Sequence, residues 1–148
     1  MKQTKCRNLL PLIAAGILLL SVSCRTQKTE RHDYIAGDWN IVTINGTDFD
    51  ASKTETLPYI HFTGSKGKIY GNTGCNNLMG QCTFDNKNGA VSFSNLGSTR
   101  MACPDMTTEQ AILEALRKVI SYSRTRDGGI EFHDSDGNIV LTLAPAPK

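Results

Sequence analysis

Apolar and polar residues change rhythm four times along this chain, and each change predicts a different element. Residues 9–20, Leu9 to Leu20, are an almost unbroken apolar run behind the cations Lys2, Lys5 and Arg7. Residues 25–34 are polar and aperiodic, which suits a tether rather than a packed element. From Gly37 short alternating segments begin, punctuated by glycine, asparagine and aspartate. Residues 38–44 hold the single Trp39 and end at Asn45-Gly46, a turn pair. Residues 57–63 alternate, with Ile60 and Phe62 on one face and Tyr59 and His61 on the other. Further strands are expected at 68–72, 81–85 and 90–94, the last two joined through Asn86-Lys87-Asn88-Gly89 with Val91 and Phe93 inward.

The period then lengthens. Ile112, Leu113, Leu116, Val119 and Ile120 recur at helical spacing, and Thr107 with Gln110 reads as a capping box opening that helix. Arg117 and Lys118 near its end complement the helix dipole. Strands at 122–126, 130–133 and 139–143 follow, separated by the turns Asp127-Gly128-Gly129 and Ser135-Asp136-Gly137. Five strands, a helix and three strands predict an α+β, β-rich fold: a small curved antiparallel sheet or open barrel of about eight short strands, with one α-helix over a mouth or face. Trp39, Ile60, Phe62, Val91, Phe93, Leu116, Ile130, Phe132, Ile139 and Leu141 are the expected core.

The apolar run is too short to span a bilayer, and with its basic start it reads as a secretory signal over residues 1–23. Ser21-Val22-Ser23-Cys24 closes it, making Cys24 the expected lipidated first residue of a lipoprotein. Ser21 departs from the aliphatic residue usual at that lipobox position. Arg25 after Cys24 resembles the Gram-negative lipoproteins sorted to the outer membrane, which implies a domain anchored to the cell envelope and facing the periplasm. Residues 24–34 would be lipidated cysteine and tether, and residues 35–144 the domain. Charge follows from this division. The whole chain has 16 Lys and Arg against 14 Asp and Glu. Losing Lys2, Lys5 and Arg7 leaves 13 against 14, so the mature net charge is −1 and no basic field suggests nucleic acid.

The stretch Gly71-Asn72-Thr73-Gly74-Cys75-Asn76-Asn77 with Gly80, and the later Thr99-Arg100-Met101-Ala102-Cys103-Pro104, resemble the two signature segments of the META-domain, HslJ-like heat-shock protein family. Trp39-Asn40-Ile41-Val42, Asn45-Gly46 and Pro58-Tyr59-Ile60-His61-Phe62 fit the same pattern, so the resemblance spans nearly all of residues 35–143. Cys82 departs from it, standing where the family commonly has an aromatic residue. The resemblance implies a β-rich domain with no established biochemical activity, and a part in envelope stress or maintenance.

Without residues 1–23, which hold Cys6, three thiols remain besides Cys24: Cys75, Cys82 and Cys103. A bridge between Cys75 and Cys103 is the expected pairing. Its rival, Cys75–Cys82, is disfavoured by a strand register that would set Cys75 opposite Gly80 and leave Cys82 on the diagonal. Three reduced, packed thiols are the remaining alternative. Zinc held by the thiols and His61 lacks the close C-x2-C pairs of structural sites, so no metal is expected. Gly71 and Gly74 lack the Gly-Lys-Ser/Thr of a phosphate loop and read instead as permitting a tight bend. Asp134, Asp136 and Asn138 read as a hairpin turn, because the calcium-loop spacing fails. Arg100, the charged residue of the signature, is expected to pair with a turn aspartate, with anion binding as its alternative. No nucleophile elbow or carboxylate pair is present, so neither enzymatic activity nor a cofactor is expected. Two functional classes stay open: a protein-interaction or assembly module with an unknown envelope protein as partner, and a small carrier of an apolar or acyl ligand.

Overall fold

The computed structural model describes residues 35–147. Nine antiparallel strands form one sheet, in the order of the chain except that the second strand is an offshoot of the first. Strand β1 (Gly37–Ile44) turns through Asn45 and Gly46, both with positive φ, into the two-residue β2 (Thr47–Asp48). Strands β3 (Tyr59–Phe62), β4 (Lys68–Asn72), β5 (Asn77–Asp85) and β6 (Ala90–Ser98) follow as a meander. Helix α1 (Thr107–Lys118) interrupts it, and β7 (Ser121–Arg124), β8 (Ile130–His133) and β9 (Ile139–Pro145) complete it. Because β9 returns to pair with β1, from Trp39↔Pro145 to Ile44↔Leu141, the curved sheet closes on itself. The expected β-rich barrel with one helix is therefore present.

One joint of the barrel is thin. Strands β6 and β7 share the single pair Ala90↔Ser121, flanked by Val91 N–H to Ile120 O (3.0 Å) and Tyr122 N–H to Gly89 O (2.8 Å). The helix bridges these two strands in sequence, and its buried Ile112, Ala115 and Leu116, with Val119 just beyond, join the barrel core. Inside the barrel Phe62, Phe93 and Phe132 meet one another, with Phe84 edge-on to Phe62 and Phe93. Ile60, Ile130, Leu141 and Leu143 are fully buried around them. Each such side chain contributes roughly 1.5–3 kcal/mol by leaving water.

Several expectations shift. Strands β5 and β6 are longer than their alternation indicated, because Gly80 and the bulge at Asn95 and Leu96 break the period without breaking the pairing. Register skips at Val140, between Phe132↔Leu141 and His133↔Ile139, so Val140 and Leu141 are both buried while Ile139 faces outward. Phe93 is only partly buried. The helix stops at Lys118, and Val119 is already extended, leaving Ile120 exposed. The Thr107–Gln110 capping box does not form. Asp105 instead accepts from Thr107 N–H (2.8 Å) and Thr107 Oγ1 (2.6 Å), while Gln110 N–H bonds Met106 O as an ordinary helical turn. Among the described residues no helix is long and apolar enough to cross a membrane.

Candidate functional site

The signature residues meet at the β4–β5 end of the barrel. Residues 73–76 form a four-residue loop between Asn72 and Asn77, which face each other across the strands. This corrects the expected register: Cys75 lies in the loop, and Gly80 pairs with Ile69. Asn72 accepts from Gly74 N–H (2.7 Å) and donates to Cys75 O (3.3 Å). Thr73 closes the loop from both its N–H (2.9 Å) and its Oγ1 (3.0 Å) to Asn76 O.

Asn76 is the hub. It is fully buried. Its Oδ1 accepts from Thr99 Oγ1 (2.7 Å) and Met101 N–H (2.8 Å), and its Nδ2 donates to Glu109 Oε2 (2.8 Å). Ser98 Oγ donates to the other oxygen of the Glu109 carboxylate (2.9 Å). Glu109 sits buried in the first turn of α1, where the positive end of the helix dipole favours an anion. One amide thus ties the loop, the segment after β6 and the helix start together. Such a buried network is stabilising only while every member is satisfied.

The motif glycines serve this geometry. A Cβ on Gly71 would collide with the Tyr59 carbonyl oxygen across the strand pair, and one on Gly80 would stand 2.9 Å from Leu96 Cδ2 and 3.3 Å from Ile69 Cγ1. Gly74 has φ 107°, a conformation that disfavours any side chain, and its carbonyl accepts from the N–H of Glu55 (2.8 Å) and of Thr56 (3.0 Å). Close approach, rather than a positive φ, is what requires glycine at 71 and 80.

Cys75 and Cys103 are joined in a disulfide with their Cα atoms 6.5 Å apart. Closing a loop over a sequence separation of 28 contributes roughly 3–4 kcal/mol in the chain-entropy account. The bridge lines a cleft of about 240 Å³ with Ser52, Lys53, Thr54, Glu55, Pro104 and Asp105. Its two sulfur atoms and a Glu55 carboxylate oxygen lie within 4.8 Å of one another. As a disulfide the sulfurs offer no thiolate, so the oxidised cluster is not a metal centre.

The remaining residues singled out in the sequence are dispersed. Cys82 is buried on the barrel's inner face opposite Phe93, and burial pushes its thiol up from 9.0 to about 11, which leaves it unreactive at neutral pH. His61 stands on the outside of β3, 2.7 Å from Asp38 and stacked on Tyr70 at 4.3 Å. The imagined zinc set of three thiols with His61 is therefore not assembled. Arg100 is exposed, and among the described residues no ion pair joins it to a turn aspartate, contrary to expectation. Asp134 accepts from the N–H groups of Asp136 (3.0 Å) and Asn138 (2.9 Å), making a hairpin turn. A shallow mouth of about 230 Å³ is walled by Ile35, Phe62, Phe84 and Cys82 with Lys66 and Asn86. Cys24 lies outside the described residues. Sequence reasoning missed Glu109, although its position, three before Ile112 and seven before Leu116, puts a carboxylate on the buried stripe.

Similarity to known proteins agrees with this geometry. The META domain family model matches residues 32–146. No curated protein sequence matches the chain. Among solved structures, an NMR structure of a protein from Burkholderia xenovorans superposes with a TM-score of 0.60 at 23% identity, covering 77% of this chain and 85% of that one. A second NMR structure gives 0.55 at 21% identity, covering 74% and 88%. The crystal structure of a DUF4847 family protein from Bacteroides vulgatus gives 0.54 at 15% identity, covering 78% and 96%. At these identities the likeness is one of fold.

Proposed function

The chain belongs to the META domain family, and on that premise we propose that it is a lipid-anchored envelope lipoprotein that works as a non-enzymatic protein-interaction or assembly module in envelope stress or maintenance. The observation that carries this reading is where the signature's polar groups point. Asn72 and Thr73 are spent on backbone groups of their own loop, and Asn76 on Thr99 and on Glu109 of the helix, which leaves Arg100 as the signature's exposed charged side chain. What remains for contact is the outer surface. There Tyr70 and Met79, partners across β4 and β5, are both about half exposed, and His61 stacks beside Tyr70. Exposed aromatic and methionine side chains on a rigid sheet are the residue types enriched at protein interfaces. The anchor rests on Cys24 and the signal before it, with two or more acyl chains holding such a domain durably to a membrane face.

The carrier reading has one observation in its favour, the mouth lined by Ile35, Phe62 and Phe84. At about 230 Å³ it is smaller than the usual ligand pocket of about 300–1,000 Å³, and the phenylalanines behind it fill the barrel. The two readings separate in one experiment on the full chain expressed with its signal. Photo-crosslinking residues replace Tyr70, Met79 or, on another stretch of β5, Thr83. Discrete protein adducts from the first two and not the third, in the membrane fraction and lost to the soluble fraction on C24S, are expected. An apolar molecule copurifying with the domain, with no adduct at any position, would overturn the interaction reading in favour of the carrier. Membrane association unchanged by C24S would overturn the anchor.

A further inference from the structure

We propose that the Cys75–Cys103 bridge, once reduced, becomes a zinc-binding site in which Glu55 supplies the third ligand. The three ligand atoms are already gathered, two sulfurs and one carboxylate oxygen all within 4.8 Å of one another. Tetrahedral zinc takes thiolate sulfur at about 2.3 Å and carboxylate oxygen at about 2.0–2.2 Å, so its ligand atoms stand roughly 3.4–3.8 Å apart. That spacing falls inside the 4.8 Å within which all three atoms already stand.

The segments that carry the ligands are held together without the S–S bond. Glu55 N–H and Thr56 N–H both bond Gly74 O, one residue before Cys75, at 2.8 and 3.0 Å. Asn72 Nδ2 holds Cys75 O at 3.3 Å. On the other side Asn76 Oδ1 holds Met101 N–H at 2.8 Å, and Asp105 fixes the helix start at 2.8 Å, so Cys103 is bracketed two residues away on each side. Reduction therefore releases two thiols into a frame that stays in place, rather than two free chain segments. The adjoining cleft of about 240 Å³ has room for a water as the fourth ligand. Two thiolates with one carboxylate favour a borderline-soft ion over calcium or magnesium, which prefer all-oxygen sites.

The chemistry balances. A thiol reductant gives two electrons and two protons to the disulfide and leaves as its own disulfide. A phosphine does the same together with one water, which supplies both protons and the oxygen of the phosphine oxide. In either case the S–S bond breaks and two thiols form. Zinc then displaces those two protons, forming two Zn–S bonds and one Zn–O bond. Bridge and metal are mutually exclusive, so each oxidation state excludes the other's occupant.

The test uses a C82A chain, which removes the third thiol of the domain, reduced with a phosphine that does not compete strongly for zinc. Zinc uptake is read by competition with a chromophoric chelator, and cobalt is then substituted to read thiolate ligation and tetrahedral geometry from its absorption. One zinc per reduced chain, none per oxidised chain, and a loss of at least about tenfold in affinity for E55Q are expected. The E55Q chain keeps its disulfide when oxidised, so its fold is verified before reduction. No uptake by the reduced chain overturns the proposal. So does uptake that E55Q leaves unchanged, which would mark two cysteines of an unfolded chain binding alone.

Discussion

At the scale of single residues, Asn76 and Cys82 carry opposite lessons about buried polar atoms. Asn76 satisfies Thr99, Met101 and Glu109 at once, so N76A leaves a hydroxyl and a backbone N–H without their acceptor and takes one of two donors from the buried Glu109 carboxylate. Each unsatisfied group costs about 1–3 kcal/mol. With partial relaxation, N76A is expected to destabilise the domain by about 2–4 kcal/mol, measured by urea unfolding at constant m-value. A loss below about 1 kcal/mol would show that the hub is peripheral to stability. Cys82 is satisfied by being neutral. Its folded pKa, raised to about 11 by burial, lies above the unfolded value near 9.0, so the fold binds the thiol proton more tightly than the unfolded chain does. The stability this confers is complete below about pH 9 and is lost as pH climbs toward about 11. Subtracting C82A from the parent in Tm measured from about pH 8 to about pH 11 isolates the group from the lysines and tyrosines titrating nearby. A flat difference would mean that the thiolate finds solvent.

At the scale of elements, the helix shows what periodicity can and cannot reveal. The apolar stripe from Ile112 to Leu116 is plain in the sequence because burial of one face imposes it. The ends were not plain. Thr107 with Gln110 matched a capping pattern, yet Asp105 takes the role, since one carboxylate oxygen reaches both the N–H and the hydroxyl of Thr107. Val140 likewise escaped a period-two reading because a bulge adds one residue to the strand. Gly80 hid the length of β5 for a tertiary reason, the packing of Leu96 over its bare Cα. The signature's position was legible, but its meaning was not: nothing local in the sequence says that Asn76 faces Glu109, 33 residues away. The cap yields a prediction. The Thr107 hydrogen bonds hold the Asp105 carboxyl below its ordinary range, so its contribution is present above the unfolded pKa and disappears as pH falls through the lower folded value. D105A is expected to lower Tm at neutral pH, while D105N, whose amide oxygen still accepts, retains most of it. D105N should also lack the parent's additional loss below about pH 4. Equal Tm for D105A and the parent at neutral pH would assign the cap elsewhere.

At the scale of the whole molecule, closure of the barrel is uneven, and that decides where it opens. The β1–β9 seam runs from Trp39↔Pro145 to Ile44↔Leu141, whereas β6 and β7 meet at one residue pair. Loop closure by the helix, not strand pairing, seals the second seam, through Ile112, Ala115, Leu116 and Val119 in the common core. Removing one of these anchors should therefore loosen the seam before it loosens the barrel. For L116A, a large-to-small change at a fully buried position costs about 2–5 kcal/mol, and hydrogen exchange locates the cost. The amides of Val91 and Tyr122, which bridge β6 and β7, are expected to lose protection in L116A well before that of Asn45, which bonds Val140 O beside the β1–β9 seam. Uniform loss at all three would mean that the barrel opens as one cooperative unit. A local opening at that joint instead leaves the β4–β5 pairing that carries Tyr70 and Met79 intact, so that such a variant still crosslinks its partner while unfolding more readily. That combination would place the contact surface and the weak seam on separable parts of the same closed sheet.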